Sequence, residues 1–357
     1  MMRSRQGHQP ALVQSVMGTM VSLVLVATGS STAAASTPEQ VPSAAQLLHD
    51  WAAAHAIVLD HLADDGCSTP TPLTRWEQQR RARLDPADRD FLATTGADQL
   101  AQAEAAITAD PGVPALAPVV DAQRTRRVAG TLSRFWQLPA PRATYVQYNG
   151  SILRSVDRMT AVYEAMGMPT ERARTTATTI KDEVAHRPAL EGGDNPLLSL
   201  GSFSASSATG YAPRVAVGTG LLQALADVGQ QPAGATFVLA HEDAHQAQFV
   251  TTAQQTDPEE PDAQQTRRHE LTADAAAAYA SAHRSGLHSG RGLLLEEAHV
   301  ASWLGDCHLD ASDHHGTPTE RTDAVRWGTA QARQAGPTKT FAELQQGIDT
   351  YLATTPS

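Results

Sequence analysis

The chain has 357 residues, enough for one large domain or two modest ones with a substantial core. Its 41% apolar and 18% charged residues are the composition of a soluble globular protein. A formal charge of −11 argues against nucleic-acid partners, because nucleic-acid binders usually carry a basic face.

The N-terminus reads as a targeting segment and not as part of the fold. "MMRSRQ" supplies Arg3 and Arg5, the uncharged apolar run "VMGTMVSLVLVATG" follows, and "STAAAST" offers small residues at Ala33 and Ala35. This is the layout of a secretory signal peptide over residues 1–35. The other reading is an uncleaved membrane anchor, although Gly18 and Ser22 would make a weak span. No cysteine stands at the cleavage region, which argues against a lipid anchor. The expectation is a secreted, extracellular protein that meets a membrane only if this segment is kept.

Export bears on Cys67 and Cys307. Two cysteines in an oxidising compartment point to one disulfide, tying the N-terminal region to the C-terminal part of the chain. A thiolate plug on a metal, supplied by Cys67, is the other reading, but "DDGCSTP" carries no recognisable pattern. Residues 36–145 have helical patterning, as in "AAQLLHDWAAAHAIVLDHL", with connectors at "STPTP" and "ADPGVPALAP". Trp51, Trp76 and Trp136 read as core anchors. Whether this region is a regulatory segment, a propeptide or packing support stays open.

Beyond residue 150 the pattern becomes more continuous. "SILRSVDRMTAVYEAMG" is an amphipathic helix with apolar positions from Ile152 to Met166, and a second helix opens at Pro169 and Thr170 and runs to about His186. Asn149-Gly150-Ser151 matches the glycosylation sequon, a triplet too common to weigh. Residues 192–212 are Gly- and Ser-rich and not helical. Val215 and Val217 alternate as in a short strand, and a helix starts near Leu221. The next helix is "AGATFVLAHEDAHQAQF"; after a polar loop another begins near Arg267 and contains "HELTADAAAAYASAHR". One last amphipathic helix closes the chain.

The chemistry gathers in "AHEDAH". Residues four apart share a helix face, so His241 and His245 can present both imidazoles to one metal ion. Glu242 projects about 100° around from His241, within reach of a water at that metal without ligating it. The apolar "TFVLA" ahead of the motif marks a buried helix, where two histidines and two acids need a purpose. A catalytic zinc site needs a third protein ligand, and Glu270 begins "ELTAD" 25 residues after His245. Asp274, one turn further on, can accept the second ring N–H of a ligating histidine.

Together "VAVGTGLLQAL", "FVLAHEDAH" and "ELTAD" resemble the HtpX-type gluzincin zinc peptidases, and "HGTPTERTDAVRWG" is similar to their C-terminal motif. The likeness is closer still to the related putative neutral zinc metallopeptidases, and it covers about residues 195–330. It implies His241, His245 and Glu270 as ligands of one Zn2+ per chain, Glu242 as general base, Asp274 behind the ligands, and His315 and Arg321 near the cleft. The implied fold is mainly α with a small β element, its short edge strands packed on the H-E-x-x-H helix. The domains would be a signal peptide (1–35), a helical N-terminal region (36–145) and a zinc metallopeptidase domain (146–357). The implied activity is hydrolysis of a peptide or protein substrate by a zinc-activated water. His315 is the candidate oxyanion donor, with Arg321 or Tyr211 as substitutes, although His314-His315 also reads as a plain surface pair. The strand at 214–217 is expected to offer an edge to an extended peptide. Two positions depart from the families' pattern. Asp243 stands where an apolar residue is usual, which suggests a wetter pocket, and Cys307-His308 follows Asp306 where a second Asp is common, leaving Asp306 without a role.

Two other readings compete. A di-metal carboxylate bundle of the ferritin-like kind would use E-x-x-H pairs, of which there are three: Glu183 to His186, Glu242 to His245 and Glu296 to His299. It would leave His241 unused. A catalytically inactive, peptidase-like binding module is the second.

Overall fold

The computed structural model describes residues 43–54, 66–108, 122–138, 143–206, 211–251 and 262–354. The signal segment 1–35 lies outside them, as do the connector 109–118 and the first helical pattern beyond residue 54. The N-terminal part is divided into α1 (Ala44–Ala54), α2 (Pro72–Arg81), α3 (Pro86–Thr95), α4 (Leu100–Ile107) and α5 (Ala122–Phe135). Thr71 and Asp85 each cap a helix whose first turn begins with proline, so the missing proline N–H costs nothing there. Trp51 and Trp136 are buried and Trp76 half-buried against the core, as anchors should be.

Strand β1 (Thr144–Tyr148) ends the region read as helical. Its sequence, "TYVQY", is β-branched and aromatic. The strand spans the expected boundary at 145 and 146, and Pro42–Ser357 packs as one compact unit. Next comes α6 (Val156–Ala165), which starts later than its apolar spacing suggests, because Ser155 caps it by accepting the Arg158 N–H at 3.3 Å. Ile152 and Leu153 fall in a preceding 3-10 turn, whose cap Asn149 is buried and bonded to the Ser151 N–H. The sequon is therefore turn chemistry. The following helix, α7 (Thr170–Ala185), matches its expected span.

Two more strands, β2 (Ser202–Ala205) and β3 (Arg214–Gly218), complete a sheet of order β1-β3-β2, with β1 parallel and β2 antiparallel to β3. The expectation of an edge at 214–217 is thus corrected. Every residue of β3 is buried, as in a strand covered on both faces and both sides. The two edges belong to β1 and to β2, the latter inside the Gly- and Ser-rich stretch. Arg214 carries β3 into the N-terminal helices, donating to the Ala105 carbonyl at 2.8 Å and to that of Thr108.

The rest is helical: α8 (Thr219–Asp227), α9 (Ala233–Thr251), α10 (Asp262–Ala282), α11 (Arg291–Trp303), α12 (Pro318–Ala332) and α13 (Phe341–Thr354). The helix expected from Arg267 starts earlier, by Asp262. The centre of the molecule is α9. It packs on β2, β3, α5, α10 and α11, while α10 is sandwiched between α9 and α12. The expected mainly α architecture with a small β element is present. No described helix is long and apolar enough to cross a membrane.

Two constraints hold this frame. A Cβ at Gly218 would stand 2.0 Å from the Ser199 carbonyl oxygen, and one at Gly220 1.9 Å from that of Pro196. The loop into β2 therefore lies directly on the "GTG" turn. In addition, Cys67 and Cys307 form the expected disulfide, so Cys67 is no thiolate ligand. Beside it the Thr71 hydroxyl donates to the Trp303 carbonyl at 3.1 Å.

Gly220→Ala should lower the unfolding free energy by about 1–3 kcal/mol or more through this backbone clash, measured by urea titration. Reducing the disulfide should cost about 2–5 kcal/mol in the same assay, because it frees a long loop in the unfolded chain.

Candidate metal centre

Helix geometry assembles the centre from two neighbours. Along α9, His241 and His245 are one turn apart on one face, and α10, packed alongside, contributes Glu270. The Nε2 atoms of His241 and His245 are 3.1 Å apart, and Glu270 lies 3.1 Å from the first through Oε2 and 3.3 Å from the second through Oε1. A tetrahedral ion with metal–ligand bonds near 2.05 Å has ligand edges of about 3.3 Å. Among the described residues this is the one group of three with metal-ligand spacing.

The outer rings of hydrogen bonds decide the tautomers. His241 Nδ1 donates to Asp274 Oδ1 at 2.9 Å, as expected, since an ionised carboxylate only accepts. His245 Nδ1 donates to Gln248 Oε1 at 2.6 Å, and that amide is oriented by its own N–H on the His269 carbonyl at 2.9 Å. Both Nε2 atoms are then free of the outer bonds and turn toward each other and toward Glu270, an arrangement that a cation makes favourable. The donor set thus fits a metal. Burial works against a charged imidazole at His241, but Asp274 and Glu270 outweigh it and carry its pKa up to about 10, so the pocket demands positive charge. Burial also opposes the charge on Asp274, which Arg321 and His241 nonetheless hold below the usual carboxylate range.

Arg321 is the reason Asp274 can stay ionised. Its guanidinium, 2% exposed, donates from Nε to Oδ2 and from Nη2 to Oδ1, both at 2.8 Å, and from Nη1 to the Leu304 carbonyl. It lies buried behind the His241–Asp274 pair and does not line the cleft. Tyr211 is half-buried against the core beside Arg214. Of the three oxyanion candidates, His315 is the one in the cleft, an open volume of about 700 Å³ shared with His241, Glu242, His245, Glu270 and the β2 residues Ser202 to Ser204.

The structure gives Asp306 a role. Its Oδ2 accepts the His315 backbone N–H at 2.7 Å and lies 3.5 Å from that ring's Nδ1, while Oδ1 meets His314 Nδ1 at 2.6 Å. Burial alone would raise this carboxyl, but the bonds to His315 and His314 hold it well below the usual range. His314 is buried, so the two histidines are not a surface pair.

Asp243 corrects the expectation of a wetter cleft. It is 1% exposed and accepts the Tyr145 hydroxyl, away from the cleft. Burial pushes its carboxyl up to about 7, against the Tyr145 bond. The rival E-x-x-H pairs lie apart from the centre. Glu183, on the outer face of α7, pairs with Arg187 just beyond that helix, His186 meets the Asp182 carbonyl, and His299 stacks on Trp303.

Glu242 is buried, lines the cleft and accepts the Ser202 hydroxyl on Oε1 at 2.7 Å. Sequence reasoning did not single out Ser202 or Gln248. Gln248 was findable, since it follows His245 by three residues on the same helix face. Ser202 carried no local signal. The chain matches no family model, no curated protein and no solved structure.

Asp274→Ala should weaken metal affinity about 10–100-fold, read by competition with a chromophoric chelator. It should also destabilise the fold by about 3–5 kcal/mol, because the buried Arg321 loses the carboxylate that takes two of its hydrogen bonds.

Proposed function

We propose that this chain is an exported zinc-dependent metallopeptidase, of a gluzincin-like fold akin to the HtpX-type and neutral zinc metallopeptidases. The observation that carries the reading is the convergence of His241, His245 and Glu270 on one point, with Glu242 in the same cleft and unused as a ligand. Two imidazoles and one carboxylate at tetrahedral spacing suit zinc and leave a coordination position open. Zinc held there supplies Lewis acidity, which activates water and polarises a carbonyl.

The chain's own residues do the rest. Glu242 takes the proton of the attacking water and passes it to the leaving amine. The His315 ring, held by Asp306, is the side-chain donor for the developing oxyanion. The outer edge of β2 borders the cleft and pairs with an extended peptide through main-chain hydrogen bonds, which gives affinity with little side-chain selectivity.

The test uses protein beginning at Ser36, assayed for metal content and for hydrolysis of a generic protein substrate with and without chelator. One zinc per chain and chelator-sensitive hydrolysis are expected; two irons per chain would favour the di-metal reading. Glu242→Gln should keep its zinc and lose about 10²–10⁴-fold in kcat. Undiminished hydrolysis by that variant would sink the mechanism.

A further inference from the structure

We infer that Ser202 is the positioning residue of Glu242: its hydroxyl chooses which carboxylate oxygen works as the base. The inference rests on the peptidase reading above and names a residue that reading does not use.

Side chains two apart on a strand share a face, so Ser202 and Ser204 both point toward α9 while Phe203 turns the other way, against Tyr148. On that face the strand is fastened to a single turn of the helix. Ser204 donates its hydroxyl to the main-chain carbonyl of Glu242. Gln246, one turn on, donates its amide to the Ala205 carbonyl of β2 and the Arg214 carbonyl of β3, each at 3.1 Å. The strand's position along the helix is therefore set independently of Ser202. The hydroxyl that remains meets the Glu242 side chain at 2.7 Å, and the acceptor-only carboxylate fixes its direction.

A glutamate has three rotatable bonds, and in an open cleft nothing intrinsic favours one of its two oxygens. Ser202 removes that freedom. With Oε1 occupied, Oε2 is the oxygen that no described residue engages, on a side chain that lines the cleft. Proton transfer from water is then directed to Oε2, and the carboxylate keeps one orientation through the cycle. Because Ser202 belongs to the strand whose outer edge borders the cleft, peptide pairing and base alignment are set by the same short element.

The experiment compares wild type, Ser202→Ala and Ser202→Thr of the chain beginning at Ser36, measuring zinc content, melting temperature, kcat and KM on one peptide substrate. Ser202→Ala is expected to keep one zinc, melt within a few degrees of wild type and hold KM within about twofold, while kcat falls about tenfold. Ser202→Thr, which restores a hydroxyl, is expected to recover most of kcat. Unchanged kcat in Ser202→Ala overturns the inference, as does a loss that appears in KM, zinc content or melting temperature, or one that threonine fails to rescue. A zinc-loaded wild type that hydrolyses nothing overturns the peptidase reading itself, a result separate from any of these.

Discussion

The carboxylate of Asp274 sits inside the protein with no exposure, and charge in such a place is tolerated only when it is met on every side. Arg321 meets it with two hydrogen bonds, and His241 adds a third. Three helices are joined by this one group: α10 supplies it, α12 neutralises it and α9 takes direction from it. The tautomer of His241 follows, and with it the direction of the lone pair toward Glu270. Glu270 stands one helical turn before Asp274, so whatever fixes α10 for the second also fixes it for the first.

The same logic extends along α9, which is buried around nearly its whole circumference except where it lines the cleft and at its last turn. Each polar side chain from 241 to 248 instead has a designated partner: Asp274, Ser202, Tyr145, Gln248, the carbonyls of β2 and β3, and the His269 carbonyl. Of their buried side-chain atoms, Asp243 Oδ2 alone has no hydrogen-bond partner among the described residues, and the satisfied groups specify one packing and reject others. The motif is thus a structural key as much as a candidate metal centre.

What could be read in the sequence was what is local. His241 and His245 share a face because helices repeat, and Glu270 and Asp274 share one for the same reason. The disulfide followed from a count of two cysteines, and the helical character of most of the chain from apolar spacing. What escaped depends on distant partners. Asp243 looked like a wet position, and only Tyr145, 98 residues earlier, makes it a buried one. The edge strand was misplaced because β3 is the more strand-like of the two in composition, whereas β2 takes its conformation from pairing. Asp306 had no assigned role until the loop it closes brought His314 and His315 to it.

The bond between Cys67 and Cys307 makes the sheet, α9 and α10 part of one closed covalent ring. A single cut anywhere between residues 68 and 306 opens that ring without releasing a fragment, since both pieces remain joined through sulfur. His241, His245, Glu242 and Glu270 all lie within it. Whatever strikes the chain first, one nick inside the ring leaves it a single covalent molecule.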